Sequence, residues 1–261
     1  MLTTVKTEKG RSSSINRLLP SISNYTCAKE IRMKATTQLT LTLTTAVLCS
    51  VLSSSSSADD YKPELFKSAK LIFDEQFDED GPHKNTKQWE IRQNTQWNVK
   101  DGVLTGEIAT EEYQKKMQAI GDGHDGTRPV IWIRPVPKAF VVRMRVRYDE
   151  TEKKGRNRGS LLDLGHHVNS FIFGEEQTKL TLQKKKKIFI KGKFFPLNQW
   201  NDLTIEIKEG AILIQVNDQK KIIKDRMVTL KTDAKAQQID FKGQDLGTVR
   251  IDWVKLYKGI E

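Results

Sequence analysis

The chain has 261 residues, 37% hydrophobic and 30% charged, with 44 Lys+Arg against 33 Asp+Glu for a formal net charge of +11. That is an ordinary globular composition, and the length suits one or two domains. The charge is uneven: residues 1–58 hold seven of the basic and two of the acidic residues, leaving 37 against 31, or +6, for the remainder. Such a balance is too mild to call for nucleic acid as a partner.

Residues 33–58, "MKATTQLTLTLTTAVLCSVLSSSSSA", begin with Met33 and Lys34, run apolar and Thr-rich from Leu39 to Leu52, and end on Ser56, Ser57 and Ala58. A basic start, a short apolar run and a small-residue exit form the pattern of a secretory signal peptide. The run falls short of the ~20 apolar residues of a membrane span. Cleavage near Ala58 leaves a mature chain without a membrane span, secreted or periplasmic. An uncleaved anchor is the other reading of the segment. Residues 1–32 are either an over-long start ahead of Met33 or a long basic n-region. Both cysteines, Cys27 and Cys49, fall within 1–58. The exported domain, 59–261, must therefore be held by its core and not by disulfides.

After residue 59, period-two patterns dominate. Strands are expected at 70–77, 89–93, 129–135, 160–168, 170–175, 179–184 and 187–191. "WNVKDGVLTGE" (97–107) is a hairpin turning on Asp101-Gly102. The one helical candidate is 109–120, followed by the glycine-rich loop "GDGHDGTRP". In "AFVVRMRVRYD" (139–149), Phe140, Val142, Met144, Val146 and Tyr148 share one strand face, and Arg143, Arg145 and Arg147 the other. Leu203–Ile223 reads as strands joined at Glu209-Gly210 and Asn217-Asp218. The last strand, 247–258, changes phase near Trp253, which predicts a bulge. Short strands at regular spacing, with no linker or repeat, indicate one all-β domain, a two-sheet antiparallel sandwich.

Three landmarks carry a resemblance: Trp89 with Trp97 to Gly106, Trp200 to Asp218, and Gly247 to Tyr257. Their order and spacing resemble the concanavalin A-like lectin/glucanase superfamily, and most closely the 3-keto-disaccharide hydrolase domain of secreted bacterial proteins. The resemblance implies a jelly-roll sandwich whose concave face meets a poly- or oligosaccharide, and hydrolysis of glycosidic linkages. The mid-domain stretch differs from that family's, reading "NRGSLLDLGHHV" (157–168). The Glu-x-Asp-x-x-Glu triplet of the glucanase branch is absent.

The densest polar cluster is "LLDLGHHVNSFIFGEE" (161–176), which holds Asp163, His166, His167, Glu175 and Glu176. Asp163 or Glu175 suits a general base, and a histidine suits a sugar hydroxyl. Asp163, His166 and Glu175 are the catalytic candidates. A strand pair with a polar turn accounts for the same residues without a site. Adjacent histidines on a strand point to opposite faces, so only one should serve a given site. Asp163 and one histidine lack a third ligand at standard spacing, so no metal and no cofactor is expected. Arg143, Arg145 and Arg147 could bind acidic sugars through bidentate guanidinium contacts, or form a solvated outer face. Trp132 and His167 join them as ligand-binding candidates, Trp132 either stacking on a sugar ring or, as aromatics more often do, packing in the core. Trp89, Trp97 and Trp200 are expected in the core. The run "QKKKKIFIKGKFF" (183–195) is either a polyanion strip or an edge strand guarded by lysines. Beside the carbohydrate-active reading stand a non-catalytic carbohydrate-binding module and a structural or adhesion domain.

Overall fold

The computed structural model describes residues 61–149, 159–174, 176–230 and 237–261. Residues 1–58 and Glu175 lie outside the described residues. The chain runs β1 (Ser68–Glu75), β2 (Gly81–Pro82), β3 (Trp89–Ile91), β4 (Gln96–Lys100), β5 (Val103–Glu107) and α1 (Glu111–Ala119). Then come β6 (Val130–Ile133), β7 (Phe140–Asp149), β8 (Leu162–Leu164), β9 (Asn169–Ile172), β10 (Gln177–Leu182) and β11 (Lys186–Lys191). The C-terminal part adds β12 (Asn201–Lys208), β13 (Ala211–Val216), β14 (Gln219–Lys224), β15 (Ile239–Lys242) and β16 (Thr248–Ile260).

These strands form two antiparallel sheets. One has nine strands in the order β14-β13-β12-β7-β16-β5-β4-β2, with β1 also pairing β16; the other has seven, in the order β11-β10-β9-β8-β15-β6-β3. The inner faces meet in one core, because alternate positions of each strand are apolar. Phe140, Val142, Met144, Val146 and Tyr148 of β7 and Leu203, Ile205 and Ile207 of β12 pack from the first sheet. Trp89, Ile131, Ile133, Leu162, Leu164, Phe171, Leu180, Ile239 and Phe241 pack from the second. The predicted bulge is present, with the register of β16 on β7 shifting between Ile251 and Trp253. The helix is capped at Thr110 and buries no residue.

The hairpin 97–107 forms with Asp101 at φ 51° and Gly102 at φ 75°, a left-handed pair that suits the sheet's twist. Trp97 faces Gly106 across β4 and β5. A Cβ on Gly106 would sit 2.5 Å from the Trp97 ring. Gly106→Ala is therefore expected to lower stability by about 1–3 kcal/mol through overpacking, read as a lower urea midpoint.

Candidate functional site

The site lies on the outer face of the seven-stranded sheet. Residues whose neighbours in sequence point into the core form a single rung across it. Glu90 pairs Trp132, Trp132 pairs Asp240, Asp240 pairs Asp163, Asp163 pairs Ser170, Ser170 pairs Thr181, and Thr181 pairs Lys187. Strand alternation puts all seven on the side away from the core.

At the middle of the rung are two carboxylates with no solvent exposure, Asp163 and Asp240. The Lys242 ammonium lies between them, bonded to Asp163 and 3.3 Å from Asp240 Oδ2. Each carboxylate also holds an imidazole. His167 Nδ1 is 3.0 Å from Asp163 Oδ2, and His166 Nδ1 is 3.2 Å from Asp240 Oδ2. Gln238 donates its side-chain amide to Asp240 as well. The two imidazole rings lie 4.2 Å apart, with Trp132 edge-on to His166 at 5.5 Å. The guanidiniums of Arg92 and Arg134 lie 4.3 Å and 5.5 Å from the indole centroid, and both pair with Glu90.

Both imidazole rings lie on the same side, contrary to the expectation that they diverge. That expectation rested on a strand running to residue 168, but β8 ends at Leu164. Gly165 and His167 then take left-handed backbone, at φ 69° and 64°, and the Val168 N–H closes the turn on the Gly165 carbonyl at 2.6 Å. A turn in place of the pleat brings both rings to the same side. The conformation is costly for a residue with a Cβ, and the Asp163 bond holds His167 in it.

Burial opposes charge on Asp163, but the His167 bond and the charge and bond of Lys242 outweigh it, holding the carboxyl well below the usual carboxylate range. Asp163 therefore stays ionised and is no proton donor. A carboxylate only accepts, so Nδ1 of His167 is the donor, and Nε2 is the ring nitrogen that can accept when it carries no proton. The imidazoles are the accessible part, with side chains 39% and 42% exposed. His166, His167, Gln183, Lys184 and Thr229 border a recess of about 390 Å³.

A group depressed on folding stabilises the fold above its unfolded pKa and loses that contribution as pH falls through its folded pKa. For Asp163 the window opens below about pH 4. Wild-type urea midpoints are expected to fall on acidification through that window more steeply than those of Asp163→Asn.

Asp163, His166, His167 and Trp132 are thus brought together. The arginine ladder is not with them. Arg143, Arg145 and Arg147 occupy the outer face of the nine-stranded sheet, across the core from the histidines. Arg143 packs 4.7 Å from the Tyr61 ring, Arg145 lies 3.7 Å from Asp252, and Arg147 pairs with Asp149, as does Arg250. Residues 61–65 cover part of that face. Glu206, wholly buried, accepts hydrogen bonds from the Tyr61 hydroxyl at 2.6 Å and from the Glu64 and Leu65 amides. Trp200, expected in the core, is only partly buried and stands 5.7 Å from the Arg145 guanidinium. Among the described residues no group of three or more His, Cys, Asp or Glu is arranged to hold a metal ion. Nor is any helix among them long and apolar enough to cross a membrane.

No family model matches the sequence, and no curated protein matches it. Among solved structures, the chain is similar to a GlcNAcα1-4Gal-releasing endo-β-galactosidase from Clostridium perfringens, at TM-score 0.50 and 13% identity over 77% of this chain and 66% of that one. It is also similar to SCLam, a non-specific endo-β-1,3(4)-glucanase from family GH16, at TM-score 0.47 and 13% identity over 76% and 94%. A Bacillus licheniformis β-glucanase gives TM-score 0.47 and 10% identity over 72% and 98%. At 13% identity the likeness to the endo-β-galactosidase shows the fold alone, a two-sheet antiparallel jelly roll.

Proposed function

We propose that the chain is an exported carbohydrate-active domain that binds a glycan over the outer face of the seven-stranded sheet and hydrolyses a glycosidic linkage there. The observation that carries this reading is the carboxylate-backed imidazole pair beside the Trp132 indole. In the proposed reaction His167 Nε2 accepts the proton of the attacking water, His166 in its protonated form gives one to the leaving oxygen, and the C–O bond breaks. Trp132 supplies an apolar ring edge against which a sugar is held. The activities in the names of the similar structures agree with a glycan substrate, and the sequence landmarks point to the 3-keto-disaccharide hydrolase type. Export rests on the signal-like segment ending at Ala58.

One observation favours a second reading, a non-catalytic carbohydrate-binding module. Both central carboxylates are occupied by Lys242 and buried, so neither meets a sugar directly, whereas glycoside hydrolysis ordinarily employs a carboxyl pair flanking the bond. The two readings part on incubation of the purified protein with a panel of neutral and acidic glycans. New reducing ends, lost in His167→Gln, support the hydrolase. Binding without release supports the module, and neither binding nor release contradicts both.

A further inference from the structure

The site face continues past the histidines onto β9–β11, and its chemistry changes there. Phe189 is 52% exposed on the outward side of β11, next to the edge of the sheet, where a bare aromatic ring invites aggregation. In register with it on β10 is Lys179, and Lys187 stands two residues earlier on the same strand face. Ile172, Lys179, Lys187 and Phe189 line a recess of about 320 Å³, with Glu176 the only carboxylate among its described lining residues. Lys186 is tied to Asp225. Lys179, Lys184 and Lys187, by contrast, make no ion pair among the described residues.

We infer that this patch is a subsite for an acidic sugar ring, uronate or sulfated, of the same glycan that the histidine site acts on. The inference rests on the proposed glycan-binding reading and adds the substrate class to it. Phe189 and Ile172 offer the apolar surface that the C–H face of a pyranose covers. The lysines offer ammonium groups to its carboxylate or sulfate. Lys187 shares the rung of Asp163, three strands away, which is roughly 14 Å at about 4.8 Å per strand. A single oligosaccharide of a few rings spans that distance. Lys184 borders the histidine recess, so an ammonium group stands at that end of the path as well. The arginine ladder lies on the opposite face of the sandwich.

The test is calorimetric titration of the purified protein with polygalacturonate, a sulfated galactan, a neutral galactan and a single-stranded oligonucleotide of matched charge. The acidic glycans should bind about fivefold to tenfold more tightly than the neutral one, as expected for two exposed charge contacts. That margin should shrink as salt is raised. Lys179→Gln with Lys187→Gln should remove the margin and leave neutral binding unchanged, and Phe189→Ala should weaken both. The stronger of the uronate and sulfate responses identifies the acidic group. Neutral glycan bound as tightly as acidic overturns the subsite while the carbohydrate reading stands. Equal binding of the oligonucleotide with Phe189→Ala silent replaces the subsite by a plain polyanion strip. No glycan bound at all overturns both the subsite and the reading beneath it.

Discussion

Lys242→Met is expected to destabilise the fold by about 3–5 kcal/mol, the cost of leaving buried charge uncompensated. Lys242 is 7% exposed, and Asp163 and Asp240 are fully buried. Methionine keeps the volume and much of the shape of the stem, so packing changes little. What is lost is the one ammonium that both carboxylates share. Urea denaturation reads the effect directly. Adding Asp163→Asn should recover part of the loss, because only one buried carboxylate then remains. A Lys242→Met protein as stable as wild type would mean that the two carboxylates are not held charged in the fold.

His167→Gln is expected to lower glycan turnover by about 10²–10⁴-fold, the range for removal of a general base. Glutamine can still bond Asp163, so the turn should persist and the stability change little. Asp163→Asn should reach a comparable loss by a different route. Its amide can donate where the carboxylate only accepts, which lets the His167 ring take the wrong tautomer, an effect on the order of 10⁴ in a catalytic triad. Initial rates on the preferred glycan measure both. Turnover unchanged in both variants would remove the imidazole from the reaction.

Most of the fold is legible in the sequence because one buried and one exposed sheet face impose a period of two. The alternation at 139–149 becomes β7, that at 203–223 becomes β12 to β14, and the phase change near Trp253 is the observed bulge. The site is only half legible. Asp163, His166, His167 and Trp132 stand out as polar or aromatic groups in short apolar runs. Asp240 and Lys242 do not, because β15 is four residues long, "IDFK", and two charges in so short a stretch read as surface. Their importance arises from pairing with β8 and β6, residues 75 to 112 positions earlier in the chain. The closing segment "IDFKGQDLGTVRI" contained the signal only as two charges alternating with Ile239 and Phe241.

The other differences have similar causes. Alternation on β12 assigns Glu206 to the outer face, and it is there, yet it is buried. A segment 141 to 145 residues away in sequence folds over it, and strand periodicity carries no trace of such a cover. The arginine ladder is read correctly as one strand face. Its partners Asp149 and Asp252 and the Tyr61 ring are set by register and docking, which the spacing of the arginines does not encode.

Ligand is expected on the outer face of the seven-stranded sheet and not on the arginine face. The most direct test compares the affinity of one bound glycan for Trp132→Ala and Arg145→Ala side by side. Trp132→Ala should weaken binding by roughly threefold to tenfold, the worth of one aromatic contact, and Arg145→Ala should leave it unchanged. Loss of binding in Arg145→Ala with Trp132→Ala silent would put the ligand on the opposite face and contradict the site assigned here.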